Sequence, residues 1–464
     1  MKKILGFLLV YITYFQISGQ IIKPYNCPIE IDGKIFENAY AGGLNAAQFG
    51  AFDVNLDGLK DLVVFDREGS KLTVYVKKND GTYIFAPEFE NLFPKVENWI
   101  QFYDYNNDGV EDIFISNGAF VELYKTKING NKISFEKYYN SKVGKYYLTY
   151  KGKSGYNQNF GSYFNEQIAI ADIDFDGDFD VLSFEGANQI YYLKNLSAEN
   201  ELPPDSIRLI MAYECWGQFE ENVFSDSIRL SINPDSCVSR MKSNIRHAGS
   251  SVLALDYDQD LDYDLFIGDV GSSTVTFLEN GKKTEFGWMN YKERGWPSYD
   301  KPVNLNTFLG INYLDVNNDG LKDLIFSPNT TDDTPYPQNI NNNHLYKCKM
   351  NDGKFVFKFE KDDFLSGTMI DLGGRINPTF VDIDKDGLID LIVGISPILL
   401  MESDSLSKLL LFKNTGTPTT PYFKLIDEDF LNFSKISKNL DYNYLNPTFG
   451  DIDNDGDKDL FVGN

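Results

Sequence analysis

The chain is short of the residues that most often build reactive centres, with two histidines, His247 and His344, and four cysteines among 464 residues. A zinc or copper site needs imidazole or thiolate ligands at close spacing. No such cluster occurs in the sequence. Ser250 and Ser251 lie near His247, but no G-x-S-x-G turn surrounds them and no acid is placed to orient the histidine, which argues against a serine hydrolase. Also missing are a basic stripe, which a nucleic-acid partner would demand, and a sustained apolar period of 3.6 residues, which helices would show. Apolar runs long enough to concern a membrane are confined to the start. There Lys2 and Lys3 precede a run from Ile4 to Ile12, trailing to Ile17, and Ser18-Gly19-Gln20 follows. A charged start, a short apolar stretch interrupted by Tyr and then small residues predict a secretory signal peptide over 1–19. The mature chain would then be secreted or displayed at the cell surface, with no transmembrane segment.

What the sequence does have is aspartate in register. The pattern D-x-[DN]-x-D-[GL]-x-x-D, followed by an apolar run, occurs seven times. Its odd positions are Asp53, Asn55, Asp57, Leu59 and Asp61 in the first copy, and Asp104, Asn106, Asp108, Val110 and Asp112 in the second. The third carries Asp172, Asp174, Asp176, Asp178 and Asp180, and the fourth Asp256, Asp258, Asp260, Asp262 and Asp264. The fifth has Asp315, Asn317, Asp319, Leu321 and Asp323; the sixth has Asp382, Asp384, Asp386, Leu388 and Asp390; the seventh has Asp451, Asp453, Asp455, Asp457 and Asp459. Side-chain oxygens at positions 1, 3, 5 and 9, with the backbone carbonyl at position 7, make an oxygen cage on one short loop. A hard cation that takes about 6–8 oxygens in flexible geometry suits such a cage, and Ca2+ is that cation. About seven structural Ca2+ ions are expected.

An EF-hand shares the first half of this pattern but places a bidentate Glu at position 12. Here position 12 is Val64, Ile115, Ser183, Ile267, Phe326, Val393 or Val462. The flanks are strand material instead, such as Leu62-Val63-Val64-Phe65 after the first loop and Val252-Leu253-Ala254-Leu255 before the fourth. Each loop therefore reads as the turn of a β-hairpin closed around a metal. Position 6 is Gly except in the fourth copy, where Leu261 would carry a cost if the backbone there is left-handed. Asn55, Asn106 and Asn317 lower the charge of three sites and predict weaker affinity there.

The repeats resemble the FG-GAP or VCBS type found in integrin α-subunit propellers and in many secreted bacterial proteins. Phe65-Asp66-Arg67-Glu68-Gly69, Arg246-His247-Ala248-Gly249-Ser250 and Asn377-Pro378-Thr379-Phe380 are similar to secreted VCBS-repeat proteins of Bacteroidetes type. The resemblance spans residues 20–464. It implies an all-β chain, and successive loops lie 51 to 84 residues apart, room for a four-stranded sheet each time. Radial repetition of such sheets protects their edges, so the expected fold is a seven-bladed β-propeller with a calcium loop in each blade. The sequence stops at Asn464, after the second strand of the seventh unit. Either residues 21–50 supply the missing strands or the natural chain continues, as the resemblance implies.

The net charge of −25 follows from the loops. Their ligand positions hold 25 of the 68 acidic residues, leaving 43 acids against 43 bases. Cys27, Cys215, Cys237 and Cys348 can pair in three ways; Cys215 with Cys237 is the shortest closure, and spacing alone does not fix it. Arg246, His247 and Arg375 enter inner strands near the axis and are weak candidates for binding an anion or a sugar. Trp288 and Trp296 are candidates for stacking on a sugar. The expected function is a secreted, calcium-binding, non-catalytic binding or adhesion module for glycans or cell-surface proteins, on the face opposite the metal loops. A polysaccharide-active, lyase-like enzyme and a structural spacer of a larger surface protein are the alternatives.

Overall fold

The computed structural model describes residues 27–162, 166–184, 188–222, 227–238, 250–282, 286–305, 308–329, 341–370, 372, 376–395, 406–440 and 444–464. Among them the chain is all-β, a succession of small antiparallel sheets with one α-helix at Phe433–Leu440. Each of the first six repeats builds a four-stranded meander. In the first, the innermost strand Ala47–Phe52 runs into the loop, Asp61–Asp66 returns, and Lys71–Lys77 and Tyr83–Phe85 complete the sheet. The innermost strands of the next four are Trp99–Tyr103, Ala169–Ala171, Ser250–Leu255 and Leu309–Leu314.

These five strands close a ring. The Ile100 N–H donates to Gln48 Oε1 at 3.0 Å, joining the second to the first. Gln101 Nε2 donates to the Ile168 carbonyl at 2.8 Å, and Val252 N–H to the Gln167 carbonyl at 2.9 Å. Ser251 Oγ reaches the Leu309 carbonyl at 2.7 Å, and the Phe49 N–H returns to Asn312 Oδ1 at 2.9 Å. The expected ring of seven is therefore corrected to a ring of five. A glycine on the first inner strand lets the second strand's Phe102 approach closely. Phe102 lies flat over Gly50, where a Cβ would sit 2.1 Å from the ring.

The sixth and seventh repeats stand outside that ring. The sixth sheet runs from Asn377–Val381 to Phe423–Asp427, and its inner strand packs against the two-stranded seventh, Asn446–Gly450 with Asp459–Gly463. The N-terminal hairpin Ile29–Ile31 and Lys34–Phe36 adds to the sixth sheet, with Ile29 opposite Phe423 in parallel, rather than to the seventh. Residues after the fifth sheet seal the seam to the first: Phe364, Leu365 and Met369 are buried against Phe49 and Tyr83. Buried Asn38 pins this crossing. Its Nδ2 donates to Thr368 Oγ1 and to the Tyr83 carbonyl, both at 2.8 Å, while its Oδ1 accepts from the Phe85 N–H at 2.7 Å.

The structure joins Cys215 to Cys237, with Cα atoms 6.1 Å apart, while Cys27 and Cys348 are buried thiols. No helix among the described residues is long and apolar enough to cross a membrane.

Candidate metal centres

The seven loops share one backbone course. In the first, Asp53 accepts from the Asp57 N–H at 3.1 Å through Oδ1 and from the Gly58 N–H at 2.9 Å through Oδ2, and Asp57 Oδ1 accepts from the Leu59 N–H at 2.8 Å. The third repeats this with Asp172 and Asp176 at 3.0 to 3.1 Å, and the sixth with Asp382 and Asp386 at 2.8 to 3.1 Å. Two left-handed residues make the curl. Position 6 has φ between 86° and 95° in the six glycine loops, and Leu261 takes φ 69° in the fourth. Position 4 is left-handed too, at Leu56, Asn107, Phe175, Gln259, Asn318, Lys385 and Asn454. Sequence reasoning missed that second position, because no common residue type marks it.

Position 9 has a second task that the pattern did not reveal. Asp61, Asp112, Asp180, Asp323 and Asp390 are fully buried at the head of the second strand. Asp323 accepts from the Val316 N–H at 3.3 Å and from the Cys348 N–H of the third strand at 2.8 Å. Asp61, Asp180, Asp264 and Asp390 do the same in their own sheets. One carboxylate thus ties loop, second strand and third strand together. Burial pushes these acids up, to about 6 for Asp61 and Asp323, about 7 for Asp112, about 8 for Asp264 and about 9 for Asp180.

Carboxylate oxygens converge where Asp fills position 3. Asp172, Asp174 and Asp180, Asp256, Asp258 and Asp260, Asp382, Asp384 and Asp390, and Asp451, Asp453 and Asp459 each bring one oxygen to within 4.8 Å of the others. In the third loop Asp174 Oδ1, Asp176 Oδ2 and Asp178 Oδ1 are buried without a hydrogen-bond partner among the described residues. Such orphaned acceptors are costly unless a cation meets them, and an all-oxygen donor set matches Ca2+. The residues present fit that ion. Glu199, from the turn after the third strand, joins Asp174 and Asp176; its distance along the chain hid it from pattern reading. In the loops with Asn, amides take up part of the cage: Asn55 Nδ2 donates to Asp57 at 3.0 Å and Asn317 Nδ2 to Asp319 at 2.9 Å. Asn106 donates to Asp205 at 2.9 Å, a carboxylate brought in from the third sheet's outer connection.

Lysines reach several cages from the third strand. Lys194 bonds Asp174 and Glu199, and Lys413 contacts Asp384, Asp386 and Asp390. Each places an ammonium where a divalent ion would otherwise balance the charge.

Arg246, His247 and Arg375 lie outside the described residues. Trp296, expected at the surface, is instead fully buried among Phe266, Tyr346 and Phe357. Trp288 is partly buried and donates to the Ser231 carbonyl at 2.9 Å.

Residues 53–115 match the FG-GAP-like repeat family and carry such a repeat, covering the first loop and the second. No curated protein matches the sequence. Among solved structures, the chain is similar to a lectin of Agrocybe aegerita that recognises non-reducing terminal N-acetylglucosamine, at 13% identity over 85% of this chain and 83% of that one, with a TM-score of 0.31. It is also similar to a Thermus thermophilus oxidoreductase, described as a glucose dehydrogenase, at 11% identity over 68% and 96%, with a TM-score of 0.29. The V. cholerae biofilm matrix protein Bap1 shares 11% identity over 82% of this chain and 39% of its own, with a TM-score of 0.17. At these scores none of the three carries an argument about the fold or the activity.

Proposed function

We propose that the protein is an exported, calcium-stapled β-propeller protein that acts as a non-catalytic binding or adhesion module for glycans or cell-surface proteins. The carrying observation is the third loop, where three buried carboxylate oxygens have no hydrogen-bond partner among the described residues and sit beside Asp172, Asp180 and Glu199. Without a cation, so many carboxylates in one small loop repel one another. With Ca2+ bound, the same oxygens would lock the loop and, through position 9, the second and third strands. Calcium is structural in this reading and recognition belongs to the rigid scaffold. Exposed loops that interlock across sheets support it: Asn107 Nδ2 donates to the Gly177 carbonyl at 2.6 Å, and Phe175 stacks on Tyr263 at 5.1 Å.

The test is thermal unfolding in EGTA and in millimolar Ca2+, with bound ions counted by native mass spectrometry. A large rise in melting temperature with up to seven ions is expected. No shift and no bound calcium would sink the reading. A lyase-like enzyme remains the alternative, and polygalacturonate cleavage by the calcium-loaded protein would decide for it.

A further inference from the structure

The bore of the five-sheet ring holds a cavity of about 550 Å³. That volume lies within the range of small-molecule sites. At the end away from the metal loops the bore is crossed by Gln167, just ahead of the third inner strand. Its Nε2 donates to the Ile311 carbonyl at 2.7 Å and its Oε1 accepts from the Ile311 N–H at 3.2 Å, from the third sheet to the fifth. The loop residues Lys60, Glu111, Gln259 and Gly320 line the cavity at its other end, where it opens.

Position 8 of four of the five ring loops lines that mouth, with Lys60, Glu111, Tyr263 and Lys322 on the cavity wall, while its counterpart in the third loop, Phe179, is buried between sheets. Lys60 pairs with Glu111. Asp256 and Asp315 also line the cavity, but their oxygens accept from their own loops, Asp256 from Asp260 and Leu261 N–H at 3.0 and 3.2 Å, Asp315 from Asn318 and Gly320 N–H at 2.7 and 2.9 Å. Lys322 is the remaining cation, within electrostatic reach of Glu111. It has no ion pair among the described residues and stands 5.4 Å from the centre of the Tyr313 ring. Tyr103, Tyr263 and Tyr313 all face the cavity, and no hydrogen bond of their hydroxyls occurs among the described residues.

We propose that this blind mouth binds the terminal residue of an acidic glycan, a uronic acid, with Lys322 taking the carboxylate and the three phenols meeting the ring hydroxyls and its apolar faces. An ammonium without a protein partner recognises an anion. Tyrosines offer apolar faces together with polar tips, which suits a pyranose rather than a simple inorganic anion. A bore crossed at its far end admits a chain end and not the middle of a polymer. This rests on the reading of the protein as a binding module and names its ligand class and its site.

The experiment is calorimetric titration of the full chain, in calcium, with D-galacturonate and D-glucuronate, using D-galactose and D-glucose as neutral controls. Uronates are expected to bind about tenfold or more tightly than the neutral hexoses, as a charged hydrogen bond implies. Lys322→Met should remove that margin, and Tyr263→Phe should weaken binding severalfold, with far-UV circular dichroism confirming the fold of each variant. Absence of uronate binding in a protein whose melting still responds to calcium would overturn the site and leave the calcium reading standing. Equal binding of neutral hexoses, or unchanged uronate binding in Lys322→Met, would overturn it as well. Uronate binding by a protein that ignores calcium would uphold the site and remove the metal reading instead.

Discussion

Leu261 shows how far one residue can depart from the pattern and still be held to its geometry. Its φ of 69° is the left-handed value that glycine supplies in the other six loops, and for a side chain with a Cβ that region costs about 1–2 kcal/mol. Leu261 is also largely exposed, so little packing offsets the strain. Leu261→Gly is therefore expected to stabilise the protein by about 1 kcal/mol, read as a higher urea midpoint with unchanged slope. A lower midpoint would mean that the leucine makes a contact worth more than the strain. The loop acids set a second expectation at this scale. Burial holds Asp180 at about 9, Asp264 at about 8 and Asp112 and Asp178 at about 7, against about 3.9 in an unfolded chain. Between those limits the folded state holds more protons than the unfolded one, so stability in EGTA is full below about pH 4 and falls as pH rises through the folded values. Calcium needs the deprotonated acids, so its stabilising increment grows over the same window. Melting curves from pH 5 to pH 8.5 should show the EGTA series falling and the gap to the calcium series widening; a rising EGTA series would contradict both.

At the scale of the element, the hairpin around each loop was legible because its chemistry repeats. Asp at position 9 followed by Leu-Val-Val, Ile-Phe-Ile or Leu-Ile-Phe announces the second strand, and that is where strands begin at Asp61, Asp112 and Asp323. The left-handed position 4 and the contribution of Glu199 were not legible, since one is filled by seven residues of five types and the other is supplied by the fold. Nor was the stitching of position 9 to the third strand, because the partner is a backbone N–H, which any residue but proline carries. That stitch gives position 9 a role independent of metal. Asp323→Ala strands two buried N–H groups, those of Val316 and Cys348, and is expected to cost about 3 kcal/mol even in EGTA. Asp323→Asn keeps an acceptor and should cost less. Denaturant curves of the two variants without calcium make the comparison; equal and small losses would return position 9 to a purely ligating role.

On the scale of the molecule, counting repeats predicted the number of loop-bearing sheets but not the number that share an axis. The sixth loop differs from the fifth at position 3, Asp384 for Asn317, but nothing in its spacing or flanks places it outside the ring. The distinction lies in what covers the end of the fifth sheet, where Phe364, Leu365 and Met369 fill the seam to the first sheet and Asn38 bonds across it. With that seam closed there is no place for a sixth inner strand. Ile452 gives a contrast from outside the ring: it is 72% exposed in the seventh loop, whereas its counterparts Val54, Tyr105, Ile173 and Val316 are buried against a neighbouring sheet. If the ring is complete at five, its stability should not depend on the sixth and seventh sheets. A fragment covering residues 37–370 keeps the five inner strands, the sealing residues and Asn38, and loses only sheets outside the ring. It is expected to melt cooperatively, to gain stability from calcium, and to carry up to five ions by native mass spectrometry where the full chain carries up to seven. A fragment that aggregates or melts without cooperativity would show that the sixth and seventh sheets are needed to hold the first five together, and the closure through Phe49 and Asn312 would then be insufficient by itself.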